Sequence, residues 1–381
     1  MSIVELTWSE VSGRRLRRHG LTPPPEHGGP ADAAAAMCGA HAQVMSAAEV
    51  SIGLRLPDAT RTDVRNALWV ERSLVKTFGP RGTVHLLPAA DLALWCGALG
   101  ALPAAARLAP DARVTAEQAE ELVEAIGSVL ADAELTVDEL TKALADRVGG
   151  WAADPVMPAF QGMWPRWRQV TETAAHRGVL CFGPNKGRKL TYTNPARWLP
   201  GFAPAPRPEA MDWLLGRYLH AYGPATPQDF ARWLARTPGW AGDLFAKSDL
   251  TEVSLEGTRS WVARGDTAPA DPAEGVLLLP HFDAFAVGSR PRELLYPGEA
   301  RDRALARGQA GNHPVLLVDG VVAGVWHQKR TAKAVAVTVE PFAGLTPRRR
   351  EQLDEQVLRL GAVLEARPTL TIGTVSVGPH A

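Results

Sequence analysis

The chain has 381 residues, 46% hydrophobic and 22% charged; that is a globular composition too long for one ordinary core, so two to four domains of roughly 100 to 150 residues each are expected. Its 41 basic residues balance 41 acidic ones, which excludes coating nucleic acid through bulk charge but leaves room for a basic face offset by acid elsewhere. The cysteines Cys38, Cys96 and Cys181 are dispersed without C-x-x-C spacing, the start "MSIVELTWSEVSG" does not read as a signal peptide, and no apolar run approaches a membrane span; these features argue against a disulfide framework, a metal site or a membrane segment, and point to a soluble cytoplasmic protein.

The first informative stretch is "CGAHAQVMSAAEVSIGLRL", residues 38–56. Ser46-Ala47-Ala48-Glu49 reads as a capping box, Ser46 at the N-cap and Glu49 reaching back, which predicts a helix from near Ala47. Residues 41–45 then precede the helix in extended form, where His41 and Gln43 share one face and Ala42 and Val44 pack the other way. This polar pair at the mouth of a helix is a candidate chemical device; the plain alternative is that both side chains hydrogen-bond backbone where the chain enters the helix.

Three later stretches echo one another: "RTDVRNALW" (61–69), "LTVDELTKAL" (135–144) and "ATPQDFARWL" (225–234). Each offers a threonine N-cap (Thr62, Thr136, Thr226), an acid within the next three residues and apolar residues at helical spacing, and the third adds Pro227 at the first helical position. Each is followed by a pair of strands. The first pair is in "LVKTFGPRGTVHLLP", where Arg81-Gly82 opens a strand; the second flanks the Gly-Pro-Asn-Lys-Gly turn of "HRGVLCFGPNKGRKLTYTN"; the third flanks Glu256-Gly257 in "TEVSLEGTRSWVARGD". Helix-rich units that end in a hairpin predict three tandem winged helices, and their spacing, roughly 75 and then 90 residues, is too uneven for a solenoid.

Beyond the Pro- and Ala-rich linker "DTAPADPAEG" (266–275) the pattern changes. "VLLLP" and "PVLLVDGVVAGVW" read as apolar strands, the latter pair joined at Asp319-Gly320, and "TAKAVAVTVEPF" alternates with the strand period. "LTPRRREQLDEQVLRLGAVLE" is a helix capped by Thr346 with Pro347 at its first position, followed by the strand "TLTIGTV". The expected fold is α+β: winged helices at 1–112, 113–204 and 205–268, then a C-terminal β-barrel-like domain at 269–381.

Winged helices most often bind duplex DNA, and "GRRLRRHG", "PNKGRK", "HQKRTAK" and "TPRRR" are basic clusters near turns or helix starts. Lys186, Arg188 and Lys189 are the strongest phosphate candidates because they sit on a predicted wing; Lys329 and Arg330, after a strand, and Arg81 are further ones. Solvated surface charge, or for Arg81 pairing with an acid, is the plain alternative. Asp283 in "PHFDAF" is either a supporting residue or a turn-maker, and the 12 tryptophans read as packing.

The order "CGAHAQVMSAAEVSIGLR", "RGTVHLLPAADL", "GRKLTYTNPARWLP", "AYGPATPQDFARW", "LLLPHFDAFAVG" and "VDGVVAGVW" resembles the AlkZ-like (YcaQ-type) winged-helix DNA glycosylases over nearly the whole chain. The resemblance implies three winged helices and a C-terminal β domain enclosing a DNA-sized cleft. It further implies excision of bulky N7- or N3-alkylated purines, including interstrand crosslinks, in some members as self-resistance to a genotoxin, and the expected protein is a monomeric, cofactor-free glycosylase acting on duplex DNA. The family's catalytic signature, Gln-apolar-Gln or Gln-apolar-Asp, falls on His41-Ala42-Gln43, with histidine in place of the first glutamine, and Asp283 falls at a strongly featured family position. The rival function is a non-catalytic winged-helix regulator, which would usually dimerise on paired half-sites.

Overall fold

The computed structural model describes residues 3–102, 112–159, 162–268 and 270–378. Residues 103–111, near the end of the first expected domain, and Pro269, where the expected C-terminal domain begins, lie outside the described residues. The chain forms two compact units, Met1–Ala67 with Leu215–Ala381, and Leu68–Leu214.

The centre of the first unit is a five-stranded sheet in sequence order: Val276–Leu279, Val315–Val318, Val321–Arg330, Ala334–Pro341 and Arg367–Ile372. The first three joins are antiparallel and the last is parallel, because the helix Pro347–Leu364 carries the chain back across the sheet. "VLLL" is apolar throughout because both faces of its strand are covered: Val276 and Leu278 pack with Leu353, Val357 and Leu360 of that helix, whereas Leu277 and Leu279 pack with Trp8, Leu16 and Phe285. A register shift at Leu316/Leu317 bends the second pairing. The sheet is thus a curled, open half-barrel, with Val276–Leu279 and Arg367–Ile372 at its edges.

Local signals account for most boundaries. Thr346 caps Pro347–Leu364 by accepting from the Arg349 amide, and Thr136 and Thr226 close capping boxes with Glu139 and Asp229. Glu256-Gly257 and Asp319-Gly320 both hold positive φ (47° and 77°, 49° and 78°), the conformation a two-residue hairpin needs. In Arg61–Trp69 the cap is Thr60, which exchanges hydrogen bonds with Asp63; Thr62 instead donates to Glu365 at 2.8 Å.

The basic cluster "GRRLRRHG" is structural. It lies on the helix Trp8–Arg18, where Arg15 is fully buried and donates to the carbonyls of Arg290 (2.6 Å) and Pro224 (2.9 Å). Arg18 grips both Asp266 oxygens at 2.8 and 2.6 Å, and Arg14 donates to the carbonyls of Asp266 and Ala268. Arg14 and Arg18 fasten Asp266 and Ala268 to the helix and Arg15 fastens Pro224 and Arg290, so the charge that reads as a phosphate contact in sequence is consumed inside the unit.

The second unit is built on Ala116–Leu130 and Val137–Val148, which pack Leu122, Ile126, Leu140 and Leu144 with Trp167, Leu180 and Tyr192. Its sheet runs Leu135–Thr136, Lys189–Thr193, Cys181–Lys186. The turn of that hairpin is Gly187-Arg188, later than the Gly-Pro-Asn-Lys-Gly expectation, because the strand continues to Lys186 past a register shift between Gly183 and Lys186. A further hairpin joins Leu74–Phe78 to Val84–Pro88, and Arg81 lies in its turn, ahead of the strand.

Candidate active site

His41 ends the short strand Ala40–His41 and Gln43 lies in the bend that follows. The helix then begins at Met45, with Val44 at its N-cap and no side-chain cap. Ser46 is therefore inside the first turn, and the expected capping box does not form. The reason is Glu49: it is buried and paired with Arg65 at 2.6 and 3.2 Å, so its carboxylate is turned away from the helix start. Burial raises the Glu49 pKa, opposed by the charges of Arg65 and Arg330.

The two polar residues differ in environment. His41 is 8% exposed and its ring stacks on Phe282, centroids 4.8 Å apart and planes 30° from parallel. Gln43 is exposed, and so is Val44. An exposed amide thus stands two residues from a buried imidazole that lies against an aromatic ring.

Phe282 is followed by Asp283, which is wholly buried. Its carboxylate accepts from Arg55 Nη1 and Nη2 at 2.8 and 2.9 Å, from Ser51 Oγ at 2.6 Å and from the Phe285 amide at 2.9 Å. Burial by itself would raise the Asp283 pKa, but Arg55 and Ser51 more than offset it, and the carboxyl is held below the usual aspartate range. Asp283 thus both makes the turn, as the N-cap of Ala284–Gly288, and ties it to the helix Met45–Gly53 that follows the polar pair. Ser51 and Arg55 were not singled out from sequence. Nothing local marks them, because the partner that gives them a role, Asp283, lies more than 220 residues on.

Of the basic candidates, Arg330 lies near enough for its charge to act on Glu49, and Lys329 precedes it at the exposed end of Val321–Arg330. The others belong to the second unit. Arg188 is exposed at the hairpin turn; Lys186 pairs with Glu139 at 3.3 Å and Lys189 with Asp138 at 2.6 Å, both exposed. Arg81 holds a left-handed backbone (φ 63°) and is half-buried, and the Glu172 carboxylate lies against Gly82 beside it.

Residues 34–363 match the family model "DNA glycosylase AlkZ-like". The chain belongs to the AlkZ-like DNA glycosylase family. It is 32% identical over 344 residues, 85% of this chain and 88% of the other, to an interstrand DNA cross-link repair glycosylase of Streptomyces sahachiroi. The solved structure of the Streptomyces sahachiroi DNA glycosylase AlkZ superposes with a TM-score of 0.79 at 29% identity, covering 97% of this chain and all of that one. A mixed α+β fold of AlkZ type is therefore common to both. Among the described residues no helix is long and apolar enough to cross a membrane.

Proposed function

We propose that this chain is a monofunctional DNA glycosylase that hydrolyses the N-glycosidic bond of bulky N7- or N3-alkylated purines, or of interstrand crosslinks, in duplex DNA, acting as a monomer and in the setting of self-resistance to a genotoxin. Family membership supports the reaction class, and one observation supports the site: a buried histidine ring and an exposed glutamine, two residues apart, stand immediately before a helix whose far end is locked by a buried ion pair.

The chemistry suits these groups. An N7-alkylguanine is cationic and departs as a neutral base, so no general acid need protonate it; the enzyme has to place a water and stabilise an oxocarbenium-like sugar. The Gln43 carbonyl can hold that water, and a neutral His41 can take its proton. Asp283 acts at one remove, as an anchor. The helical and hairpin elements of both units are read as three winged helices, with Arg81, Lys186, Arg188, Lys189, Lys329 and Arg330 contacting phosphate. Release of free base from duplexes carrying defined alkylpurines tests the proposal: loss of base from one or more adducts supports it, and binding without release on every adduct overturns it.

A further inference from the structure

Phe282 has a backbone that its side chain disfavours. The Asp283 amide donates to the Pro280 carbonyl at 3.3 Å, closing a tight turn, and Phe282 sits third in it with φ 55°. Glycine is the ordinary occupant of such a position, and a bulky residue there is an outlier that persists only where its surroundings over-determine it. They do so from both sides. The Phe282 amide donates to the Gly311 carbonyl at 2.9 Å, and Gly311 packs so closely that a Cβ there would lie 3.1 Å from the Phe282 ring and 2.7 Å from Val287. On the other side Asp283 is held by four hydrogen bonds from Arg55, Ser51 and the Phe285 amide.

The strain is not explained by packing in the core. Phe282 is only partly buried, whereas Phe285, three residues on, fills the core fully. What the unusual turn does achieve is to present the Phe282 ring to His41 at 4.8 Å, nearly face to face. We infer that Phe282 is a positioning residue for His41, setting the plane of the imidazole from below while the Ser51–Arg55–Asp283 cluster keeps the strained turn closed. The same cluster grips the helix Met45–Gly53 on the far side of Gln43, so platform and polar pair share one anchor. A ring held in one plane keeps its nitrogen aimed at one position for the attacking water. This inference rests on the reading of His41 as the group that acts on that water.

The test separates strain from positioning. Phe282→Gly removes the ring and relieves the backbone, so its thermal midpoint should equal or exceed that of the unmodified protein, and its Kd for an alkylated duplex should stay within about twofold. Its single-turnover base release should nevertheless fall about 10- to 100-fold, the scale of a misplaced reacting group. Phe282→Tyr should restore the rate to within a few-fold, and Phe282→Leu, which keeps bulk without a flat face, should not. An unchanged rate in Phe282→Gly, or full rescue by leucine, overturns the inference. A second readout does not need activity: the His41 ring protons should show an aromatic ring-current shift by NMR that is lost in the glycine variant and kept in the tyrosine variant. If the protein releases no base from any duplex, the glycosylase reading fails; the platform still stands or falls on that resonance, and its absence in the unmodified protein overturns it.

Discussion

Arg55 donates through both of its terminal nitrogens to the two carboxylate oxygens of Asp283, at 2.8 and 2.9 Å, joining positions 228 residues apart in sequence. Neither side chain is more than 1% exposed, so each ion is stable there only because the other is present. Replacing one partner strands a charge that water cannot reach, whereas replacing both with apolar residues of similar size does not.

Asp283→Ala is therefore expected to lower unfolding free energy by about 3–5 kcal/mol, measured as the shift of the urea midpoint. The double replacement Arg55→Met with Asp283→Leu should recover most of that loss in stability while leaving base release impaired, because it no longer dictates the Phe282 turn. If the single and double variants are equally unstable, the pair is not the source of the loss.

His19 supplies a pH dependence. Burial drives its pKa down to about 3, helped by the nearby Arg55 charge, and the neutral ring bonds the Ala221 carbonyl at 3.2 Å. The folded protein thus keeps His19 unprotonated where the unfolded chain, near ~6.5, takes a proton. Because the unfolded state binds more protons, stability falls as pH drops below ~6.5 and goes on falling toward the folded value, at up to roughly 1.4 kcal/mol per pH unit. Asp283 adds its own loss only lower down, but between pH 6.5 and 4.5 His220, also lowered by burial, and Glu49, raised by burial, contribute as well, so the His19 share is read as the difference between the unmodified protein and a variant. His19→Gln should flatten the curve in that window; a curve parallel to that of the unmodified protein would refute the assignment.

The hairpin that carries Lys186, Arg188 and Lys189 also makes a distinguishable prediction. Lys186 and Lys189 are paired with Glu139 and Asp138 of the adjoining helix, but the pairs are exposed and therefore weak enough for a phosphate to replace the acid. Changing Lys186, Arg188 and Lys189 to alanine should weaken binding to all duplex sequences alike and reduce the salt slope by up to about one unit per lost phosphate contact. Asp138→Asn should do the reverse, tightening binding modestly by releasing Lys189. Affinities and slopes that do not move in either variant would place the DNA elsewhere.

What was legible in sequence divides by range of interaction. Thr136, Thr226 and Thr346 as caps, and Glu256-Gly257 and Asp319-Gly320 as turns, are settled within a few residues, where backbone geometry and side-chain chemistry act together. The errors arise where a distant residue outbids a local one. Glu49 could have capped its own helix but pairs with Arg65, so the helix starts at Met45. Arg14, Arg15 and Arg18 have the composition of a DNA contact but are claimed by backbone carbonyls and Asp266, more than 200 residues on. The candidate polar pair stood out because His41 and Gln43 interrupt an apolar stretch; Phe282 and Arg55 did not, because they meet His41 and Asp283 only when the chain folds back.

The last prediction separates enzyme from regulator and asks what His41 would do with the attacking water. If His41 removes the proton from the attacking water, only its neutral form is active, so release of an N7-alkylguanine should rise with pH through a single step as the ring loses its proton. If it only orients the water, the rate should be nearly flat instead. His41→Gln then distinguishes the two cases: it abolishes the step and most of the activity in the first, and keeps most of the activity in the second. Gln43→Ala should lower the rate in either case, roughly 10- to 1,000-fold for one lost hydrogen bond to the water or the developing cation. Affinity for the duplex should barely change, because an exposed amide and a buried imidazole are poor anchors for phosphate. A protein that releases no base from any alkylated duplex yet binds one sequence far above all others would be a regulator, and its His41 and Gln43 would then be no more than the hydrogen-bonding lead into a helix.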